Sequence, residues 1–291
     1  MILITGASGT LGRAVLEEVR KTGRPARAMY RDAGDAKKSA TGVENVIADF
    51  ADRTSLGRAL RGAQEVFLVC SPVPQLVELE GNVIDAAREA GVQHLVLNSA
   101  LGAADYPKSF PSWHRKVEDK LKSSGLAYTI LRPNSFLQNI LAYFAPSIRA
   151  QGAFYAAMGD AKLSFIDVRD IAAISAKILA APQAYIGKTF ELNGPEAVDY
   201  FEVARRISRV TGSPVRFVDI PEDAQRKSML DLGMSEWQVT ALLDLQRYYT
   251  VERKGGELTG VTAQLLSRPP ITLDQFLEEN KDNFRGQAAG A

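Results

Sequence analysis

Three glycines near the start of the chain have the spacing of a phosphate-binding turn. Gly6, Gly9 and Gly12 lie three residues apart, after the apolar residues 2–4 and at the start of a helical pattern over residues 11–20. Gly6 permits a tight turn, Gly9 lets the backbone approach a pyrophosphate, and Gly12 lets the helix pack closely on the strand. Unpaired N–H groups at the positive end of the helix dipole would bind the diphosphate. The pattern predicts a dinucleotide site made by Gly6, Ser8, Gly9, Thr10, Leu11 and Gly12, although a turn without a ligand can have the same glycines.

Arg31 indicates which dinucleotide binds. It follows the second apolar run, residues 26–30, near the place where an acidic residue would accept the ribose hydroxyls of NAD. A guanidinium there would instead hold the 2′-phosphate of NADP. Asp32 would favour NAD if the strand ran one residue further, but a turn or helix-cap role suits it better. We therefore predict NADP(H). Three further basic residues could assist: Arg13, Lys37 and Lys38.

Other candidate site residues follow the later predicted strands, because ligands of such sheets lie at the carboxyl ends of the strands. They are Asp49, Phe50, Ser71, Pro72, Asn98, Ser99 and Pro133. Asp49 could accept a hydrogen bond from the adenine amino group, and Phe50 could lie beside the ring. A helix cap and a core aromatic are the alternatives for these two residues. Cys70 is interpreted as a small buried apolar residue, not a nucleophile.

The elements that must position these residues alternate along the chain. Further strands are predicted at 26–30, 43–48, 65–69, 94–98 and 127–131, and helices at 52–60, 76–90 and 110–124. This alternation predicts an α/β fold, a doubly wound parallel Rossmann-type sheet with helices on both faces.

Beyond residue 133 the alternation is looser. Helices are predicted at 136–150, 169–181, 199–211, 222–232, 235–246 and 272–283, and strands at 165–168, 189–193 and 215–220. We expect a cofactor-binding domain over 1–150, a smaller interwoven α/β cap that binds substrate over 151–286, and a tail at 287–291.

Composition narrows the class of protein. Among 291 residues, 46% are hydrophobic and 24% charged, the formal net charge is +1, and there are one cysteine and two histidines. These values argue against a nucleic-acid surface, an internal disulfide and a structural zinc site, so no metal is expected. The apolar run at 2–4 is too short for a signal peptide. The sequence has no apolar run of 18 residues, the length that would suggest a membrane span. A cytoplasmic location is therefore expected.

Several segments together resemble one known family. They are the turn TGASGTLG, Arg31, Asp49, Asn98-Ser99, the run 113–133 (WHRKVEDKLKSSGLAYTILRP) and the run 165–173 (FIDVRDIAA). The chain resembles the NmrA-like atypical short-chain dehydrogenase/reductases from residue 1 to about 284. Its most specific part is His114 and Glu118 followed by Ser-Gly-Leu and Leu-Arg-Pro. Within the family it looks most like the NADPH-dependent quinone and triphenylmethane dye reductases, and the family also includes NADP-sensing regulators without known catalysis.

The resemblance also shows a departure from the wider superfamily, whose members carry a Tyr-x-x-x-Lys pair on this helix. Here Phe110 stands at the tyrosine position and His114 at the lysine position. Since Phe110 has no proton to give, the usual alcohol–ketone chemistry is not supported. His114 could hold the nicotinamide ribose or donate a proton, or it could be a surface histidine paired with Glu118. Ser99 could hydrogen-bond cofactor or substrate, or cap a turn. His114 and Ser99 are the candidate catalytic residues.

Hydride transfer to an electron-poor conjugated acceptor remains possible without the tyrosine, because solvent can supply the protons. The expected partner is therefore a small aromatic or conjugated substrate, with a homodimer possible. The candidate substrate-binding residues are Asn134, Phe136, Gln138, Tyr143 and Phe144, with Tyr155 and Trp237 as weaker candidates. The alternative for the aromatic ones is that they form the core of the cap. Two other functions stay open: an NADP(H)-sensing regulator and a biosynthetic imine or enone reductase.

Overall fold

The computed structural model describes residues 1–37 and 42–286, so Lys38 and the predicted tail at 287–291 lie outside the described residues. The chain forms two compact units. Unit 1 comprises residues 1–133 and 168–191, and unit 2 comprises residues 134–167 and 192–286. This division differs from the one predicted at residue 150. Residues 168–191 return to unit 1 because they supply a further helix and an edge strand to its sheet.

Unit 1 is built on strands with a helix between most of them. Its strands are β1 (Ile2–Ile4), β2 (Ala26–Tyr30), β3 (Glu44–Ile47), β4 (Glu65–Leu68), β5 (His94–Asn98), β6 (Tyr128–Pro133) and β8 (Lys188–Leu192). Its helices are α1 (Thr10–Lys21), α2 (Ala33–Ala36), α3 (Arg53–Leu60), α4 (Leu76–Glu89), α5 (Ser109–Ser123) and α7 (Val168–Ala180).

These strands form one sheet in the order β3-β2-β1-β4-β5-β6-β8. The pairs from β3 through to β6 are parallel. The strand order reverses between β1 and β4, and a ligand crevice is expected at the carboxyl ends of the strands there. The central strands β1, β4 and β5 are buried along their whole length, as strands covered by helices on both faces must be. The predicted Rossmann-type sheet is confirmed.

Local sequence explains where several helices begin and end. The carboxylate of Asp52 accepts a hydrogen bond from the Thr54 amide and caps α3 (2.9 Å). Asp32 caps the short helix α2 in the same way through the Gly34 amide (2.5 Å). At the other end of a helix, Gly91 adopts φ 73° directly after α4.

Unit 2 contains six helices and one small sheet among its described residues. The helices are α6 (Gln138–Gln151), α8 (Tyr200–Thr211), α9 (Glu222–Asp231), α10 (Glu236–Thr250), α11 (Val261–Leu266) and α12 (Leu273–Glu279). Strands β7 (Ala153–Ala156) and β9 (Arg216–Asp219) pair in parallel. Phe154 of β7 is fully buried. The centroid of its ring lies 4.6 Å from the ring centroid of Phe144 and 5.3 Å from that of Phe217. This aromatic cluster is the core of unit 2.

Several elements differ from the sequence prediction, among them the short helices α2 and α11, which it did not include. The predicted strand at 165–168 is reduced to one isolated bridge between Ile166 and Phe136. Strand β7 was not predicted, because its four residues follow a helix directly and two of them are alanines. The last predicted helix stops at Glu279 and continues only as one 3-10 turn, Lys281–Asn283. Within the described residues, no helix is long and apolar enough to cross a membrane.

Candidate cofactor and active site

The glycine turn has the close contacts that its spacing predicts. Gly6 has φ 58°, and its carbonyl accepts a hydrogen bond from the Gly9 amide (2.9 Å). A Cβ on Gly12 would lie 2.2 Å from the Gly6 carbonyl oxygen, so only glycine lets α1 begin this close to the strand. Gly9 is the N-cap residue of α1, and no side chain caps that helix. Ser8, Gly9 and Thr10 are exposed, whereas Leu11 and Gly12 are buried. The first turn of α1 can therefore bind an anion through its backbone amides.

A cavity of about 260 Å³ adjoins this turn at the carboxyl ends of β1, β2 and β4. Its lining brings together six of the predicted cofactor residues: Gly6, Ser8, Arg31, Asp49, Phe50 and Ser71. Arg31 follows β2 and is exposed, as is Lys37. Asp32 also lines the cavity, but one of its carboxylate oxygens is taken by the cap of α2. Arg31 is thus the lining residue whose charge suits a phosphate group.

Two residues after β3 shape the far side of this cavity. Asp49 is exposed, and its Oδ1 accepts a hydrogen bond from the Ala51 amide (2.9 Å), which fixes the turn. Phe50 is half-buried against the apolar core between the sheet and the helices α3 and α4. Its carbonyl accepts a hydrogen bond from Asn82 of α4 (3.0 Å), an anchor that sequence reasoning missed. Both residues hold local structure and still face the cavity.

Cys70 and Glu80 lie close together beside the end of β4. Burial raises the pKa of the Cys70 thiol to about 12, so Cys70 is not a nucleophile at neutral pH. Glu80 of α4 is fully buried, and neither of its oxygens has a hydrogen-bond partner among the described residues. Burial raises its pKa well above the usual value, although the nearby Cys70 backbone opposes this. Sequence reasoning missed this neutral acid, because nothing in the residues around Glu80 marks it as buried.

A second group of polar side chains lies where β5 and β6 end and α5 passes. Ser99 follows β5 and is buried, and its hydroxyl donates to Glu118 Oε1 (2.7 Å). Arg132 of β6 donates to the same carboxylate through Nε (2.8 Å) and Nη2 (2.6 Å). The Ser99 proton is therefore already used within the protein, and only its lone pairs can face a ligand.

His114 of α5 lies one turn before Glu118 and is 7% exposed. The alternative of a surface histidine is wrong, because the ring is buried. Glu118 acts on it only through its charge, and its hydrogen bonds go to Arg132 and Ser99. Burial lowers the pKa of His114 to about 4, and the charge of Glu118 opposes this only in part. At neutral pH the ring is an uncharged imidazole with one N–H and one lone pair. It can form hydrogen bonds but is not a ready acid.

The remaining predicted residues of unit 1 have simpler surroundings. Asn98 is buried, and its Oδ1 has no hydrogen-bond partner among the described residues. Ser71 and Pro72 are exposed after β4. Pro133 ends β6, and its carbonyl accepts from the Leu101 amide (3.0 Å). Phe110 is half-buried and contacts the Trp113 ring edge-to-face (5.3 Å), so no phenol stands at the tyrosine position.

Asn134, the first predicted substrate residue, holds a loop of unit 2. Its Nδ2 donates to Ser164 Oγ (2.8 Å) and to the Gly255 carbonyl (2.7 Å), and its Oδ1 accepts from the Ser135 amide (2.7 Å). The residue is 2% exposed. Both ends of the amide are satisfied within unit 2, so Asn134 is a structural residue and the prediction that it contacts substrate is corrected.

The predicted aromatic residues of unit 2 differ in how far they are buried. Phe144 belongs to the buried aromatic cluster, so the core alternative holds for it. Tyr143, at 62% exposed, and Tyr155, at 42%, lie on the surface of α6 and β7. Phe136, Gln138 and Trp237 are half-buried. Tyr143, Phe136 and Gln138 remain candidates for substrate contact. No group of three or more His, Cys, Asp or Glu that could hold a metal occurs within residues 1–37 and 42–286.

Comparison with known proteins agrees with this geometry. The sequence pattern of the NmrA-like family matches residues 1–277. An NAD(P)H azoreductase of Xenophilus azovorans is 34% identical over 98% of this chain and 99% of its own. Quinone oxidoreductase 2 of Escherichia coli is 30% identical over 94% of this chain and 96% of its own. Its crystal structure, complexed with NADPH, superposes with a TM-score of 0.87 and covers 96% of this chain and 99% of that one.

A more distant solved structure shares the fold. The triphenylmethane reductase of Citrobacter sp. is 21% identical, with a TM-score of 0.85, and covers 96% of this chain and 99% of that chain. At this identity the likeness concerns architecture alone.

Proposed function

Because this chain belongs to the NmrA-like family, we propose that it is an NADPH-dependent reductase that transfers a hydride to a quinone-like or other conjugated small molecule. The observation that carries the proposal is the glycine turn and Arg31 lining one cavity at the strand ends. Two relatives at least 30% identical, an NAD(P)H azoreductase and a quinone oxidoreductase, confirm the predicted class of enzyme and its cofactor.

The residues of unit 1 fit NADPH. The amides at the start of α1 would hold the diphosphate, since no side chain occupies them and glycine leaves the approach open. Arg31 would bind the 2′-phosphate, and Asp49 and Phe50 would border the adenine in the same cavity. Ser99, Asn98 and His114 would contact the nicotinamide half, which must lie further along the strand ends.

The chemistry follows from what these residues lack. NADPH supplies a hydride when bound. Phe110 offers no proton to an alkoxide, and His114 is uncharged at neutral pH, so protonation of a ketone in place has no evident donor. A quinone or other conjugated acceptor needs no such donor, because its reduced form is stabilised and solvent protonates it. The residues therefore act by binding and orienting the reactants and by excluding water.

The proposal is tested by stopped-flow oxidation of NADPH with a panel of quinones, azo dyes, enones and simple ketones. We expect turnover with the conjugated acceptors and none with the ketones. No oxidation by any acceptor, with NADPH bound, would contradict reductase activity. Preference for an enone or an imine would identify the biosynthetic alternative. The sensor alternative is not favoured, since the relatives compared above are named as reductases or oxidoreductases.

A small-molecule substrate is consistent with the relatives, and its conjugated character is part of this proposal. The cytoplasmic location and a homodimer also remain proposals. The exposed faces of α4 and α5 could pair across a two-fold axis in such a dimer. Light scattering of the purified protein, with and without NADPH, tests it.

A further inference from the structure

Glu118 is a buried carboxylate that accepts four hydrogen bonds from three residues in different parts of unit 1. It has no exposed side-chain area, and it receives the Ser99 hydroxyl, two N–H groups of Arg132 and the Lys122 ammonium (3.1 Å). The two Arg132 bonds form a fork of 2.8 and 2.6 Å across both carboxylate oxygens. A carboxylate satisfied in this way has little remaining attraction for a further proton.

His114 stands four residues before Glu118 on α5, in reach of its charge. The ring is 7% exposed, and its Nδ1 has no hydrogen-bond partner among the described residues. A buried imidazole beside an uncompensated carboxylate would normally gain a proton and form an ion pair. Here the guanidinium of Arg132, with a side chain only 11% exposed, already compensates the carboxylate.

We propose that Arg132 is a positioning residue that acts through Glu118 to keep His114 an uncharged imidazole at the nicotinamide end of the cofactor site. The role rests on the proposed function for its placement next to the cofactor. It goes beyond that function in assigning a task to Arg132, a residue to which the proposed function gives no role.

The charged surroundings support this role. Glu118 is the charged group in the described part of the chain that acts directly on His114, and it opposes the effect of burial, which lowers the pKa of His114 to about 4. Arg132 of β6 and Lys122 of α5 both form hydrogen bonds to Glu118 that lower the pKa of its carboxyl group. Arg132 itself is faced by Glu191 of β8 (3.8 Å) and by Asp105 of the loop before α5, and both keep it charged.

An uncharged His114 suits hydride donation. A nicotinamide ring becomes positively charged as it gives up a hydride, and a buried imidazolium beside it would oppose that change. A neutral imidazole can still hold the ribose through its N–H or its lone pair. The Arg132–Glu118 pair would thus protect the reaction rate across the acidic side of neutrality.

The experiment is an NMR titration of the two histidines in the whole protein, labelled with ¹³C at the ring Cε1. The chain has only His94 and His114, so two signals are expected. His94 is an internal control, because burial also lowers its pKa to about 4 and the carboxylate that opposes this is Glu65, not Glu118. In the unmodified protein we expect neither signal to move between pH 5.5 and 8.

In Arg132→Met, which removes the charge and keeps much of the volume, the His114 signal should titrate with about a hundredfold higher proton affinity, which moves its midpoint from a pH of about 4 to about 6, inside the titrated range. The His94 signal should stay fixed, which also shows that the variant is folded. Arg132→Lys should return His114 most of the way to its original behaviour. As a second readout, the ratio of kcat at pH 6 to kcat at pH 8 should fall at least threefold in Arg132→Met.

A His114 signal that stays flat in folded Arg132→Met would overturn the proposal, as would one that titrates near pH 6.5 in the unmodified protein. If Arg132→Met does not fold, Lys122→Met decides. Lys122 is the weaker and more exposed partner of Glu118, so its removal should raise the proton affinity of His114 by a smaller factor. An unchanged proton affinity would refute the proposal that the partners of Glu118 keep His114 uncharged. The titration needs no cofactor, so its failure is distinguishable from failure of NADPH to bind.

Discussion

At the scale of single residues, Arg31 should decide between the two nicotinamide cofactors. Arg31→Ala removes the guanidinium from the cavity beside the glycine turn. We expect NADPH binding to weaken by about 1.5–3 kcal/mol, the cost of a lost charge-assisted hydrogen bond, and NADH binding to change little. Fluorescence titration with both cofactors measures this. Arg88→Ala, an exposed arginine on α4, is the control, and equal losses for NADPH and NADH in Arg31→Ala would show that Arg31 does not contact the phosphate.

For two single residues, the side-chain type led to a wrong or incomplete prediction of their role. Asn134 and His114 are residue types that often face ligands, and both were candidates for that reason. In the structure the Asn134 amide forms its hydrogen bonds within unit 2. The Glu118 carboxylate forms an ion pair with Arg132 instead of with His114. Neither result is visible in the sequence, because Gly255 lies 121 residues after Asn134 and Arg132 lies 14 residues after Glu118.

The Asn134 correction leads to a stability prediction. Asn134→Ala should lower the free energy of unfolding by about 2–4 kcal/mol, because Ser164, Gly255 and Ser135 lose a buried partner. The KM for a quinone should change far less than stability does. Asn139→Ala, which removes one long hydrogen bond to Ser135 (3.4 Å), is the control with little expected effect. Denaturant unfolding and steady-state kinetics measure both, and a raised KM with unchanged stability would restore Asn134 as a substrate contact.

At the scale of elements, the junction of β1 and α1 depends on Gly12. Gly12→Ala would place a Cβ 2.2 Å from the Gly6 oxygen and 2.8 Å from the Thr5 oxygen, so the turn must shift. We expect a loss of about 1–3 kcal/mol in stability and weaker NADPH binding. Thermal unfolding with and without NADPH measures both.

Gly57→Ala is the matched control for this substitution. Gly57 lies inside α3, and a Cβ there would have no atom within 4 Å. It should therefore raise stability by about 0.5–1 kcal/mol, since alanine loses less backbone entropy in a helix. If Gly12→Ala behaved like Gly57→Ala, the close packing of α1 on β1 would not be essential.

Element prediction succeeded where local pattern decides. The boundaries of β5 were predicted to the residue, and those of α3 and α4 to within one residue, because caps and apolar runs act over a few residues. It failed at β7 and at residues 165–168, where strand formation depends on a distant partner. Strand β7 exists because β9, about 60 residues later, pairs with it.

At the scale of the whole molecule, stability should have a maximum near neutrality. Burial lowers the pKa of His94 and His114 to about 4, below that of the unfolded chain, about 6.5. Between these values the unfolded state binds up to two more protons. The free energy of unfolding therefore falls as the pH drops from about 6.5, at up to about 2.7 kcal/mol per pH unit.

Glu80 has the opposite effect. Its raised pKa means that the folded state keeps a proton that the unfolded state releases above a pH of about 4.5, so stability falls as the pH rises until Glu80 ionises. The two effects balance at a pH of about 6.5. Glu80→Gln should abolish the alkaline decline, about 1.4 kcal/mol per pH unit, while the acid limb persists. Denaturant unfolding from pH 5 to 8.5 measures both limbs. An alkaline slope unchanged in Glu80→Gln would show that Glu80 is ionised in the folded protein.

The amino-acid sequence by itself determined the parallel sheet, the glycine turn, the place of Arg31 and the absence of a tyrosine at Phe110. These follow from spacing and residue type over a few positions, where backbone geometry and solvation act locally. Only the tertiary structure decided that Glu118 pairs with Arg132, that His114 is buried and uncharged, and that the Glu80 carboxyl beside Cys70 has no hydrogen-bond partner within residues 1–37 and 42–286. Burial and pairing depend on residues far apart in the chain, and it is burial that sets which of these groups carry a charge.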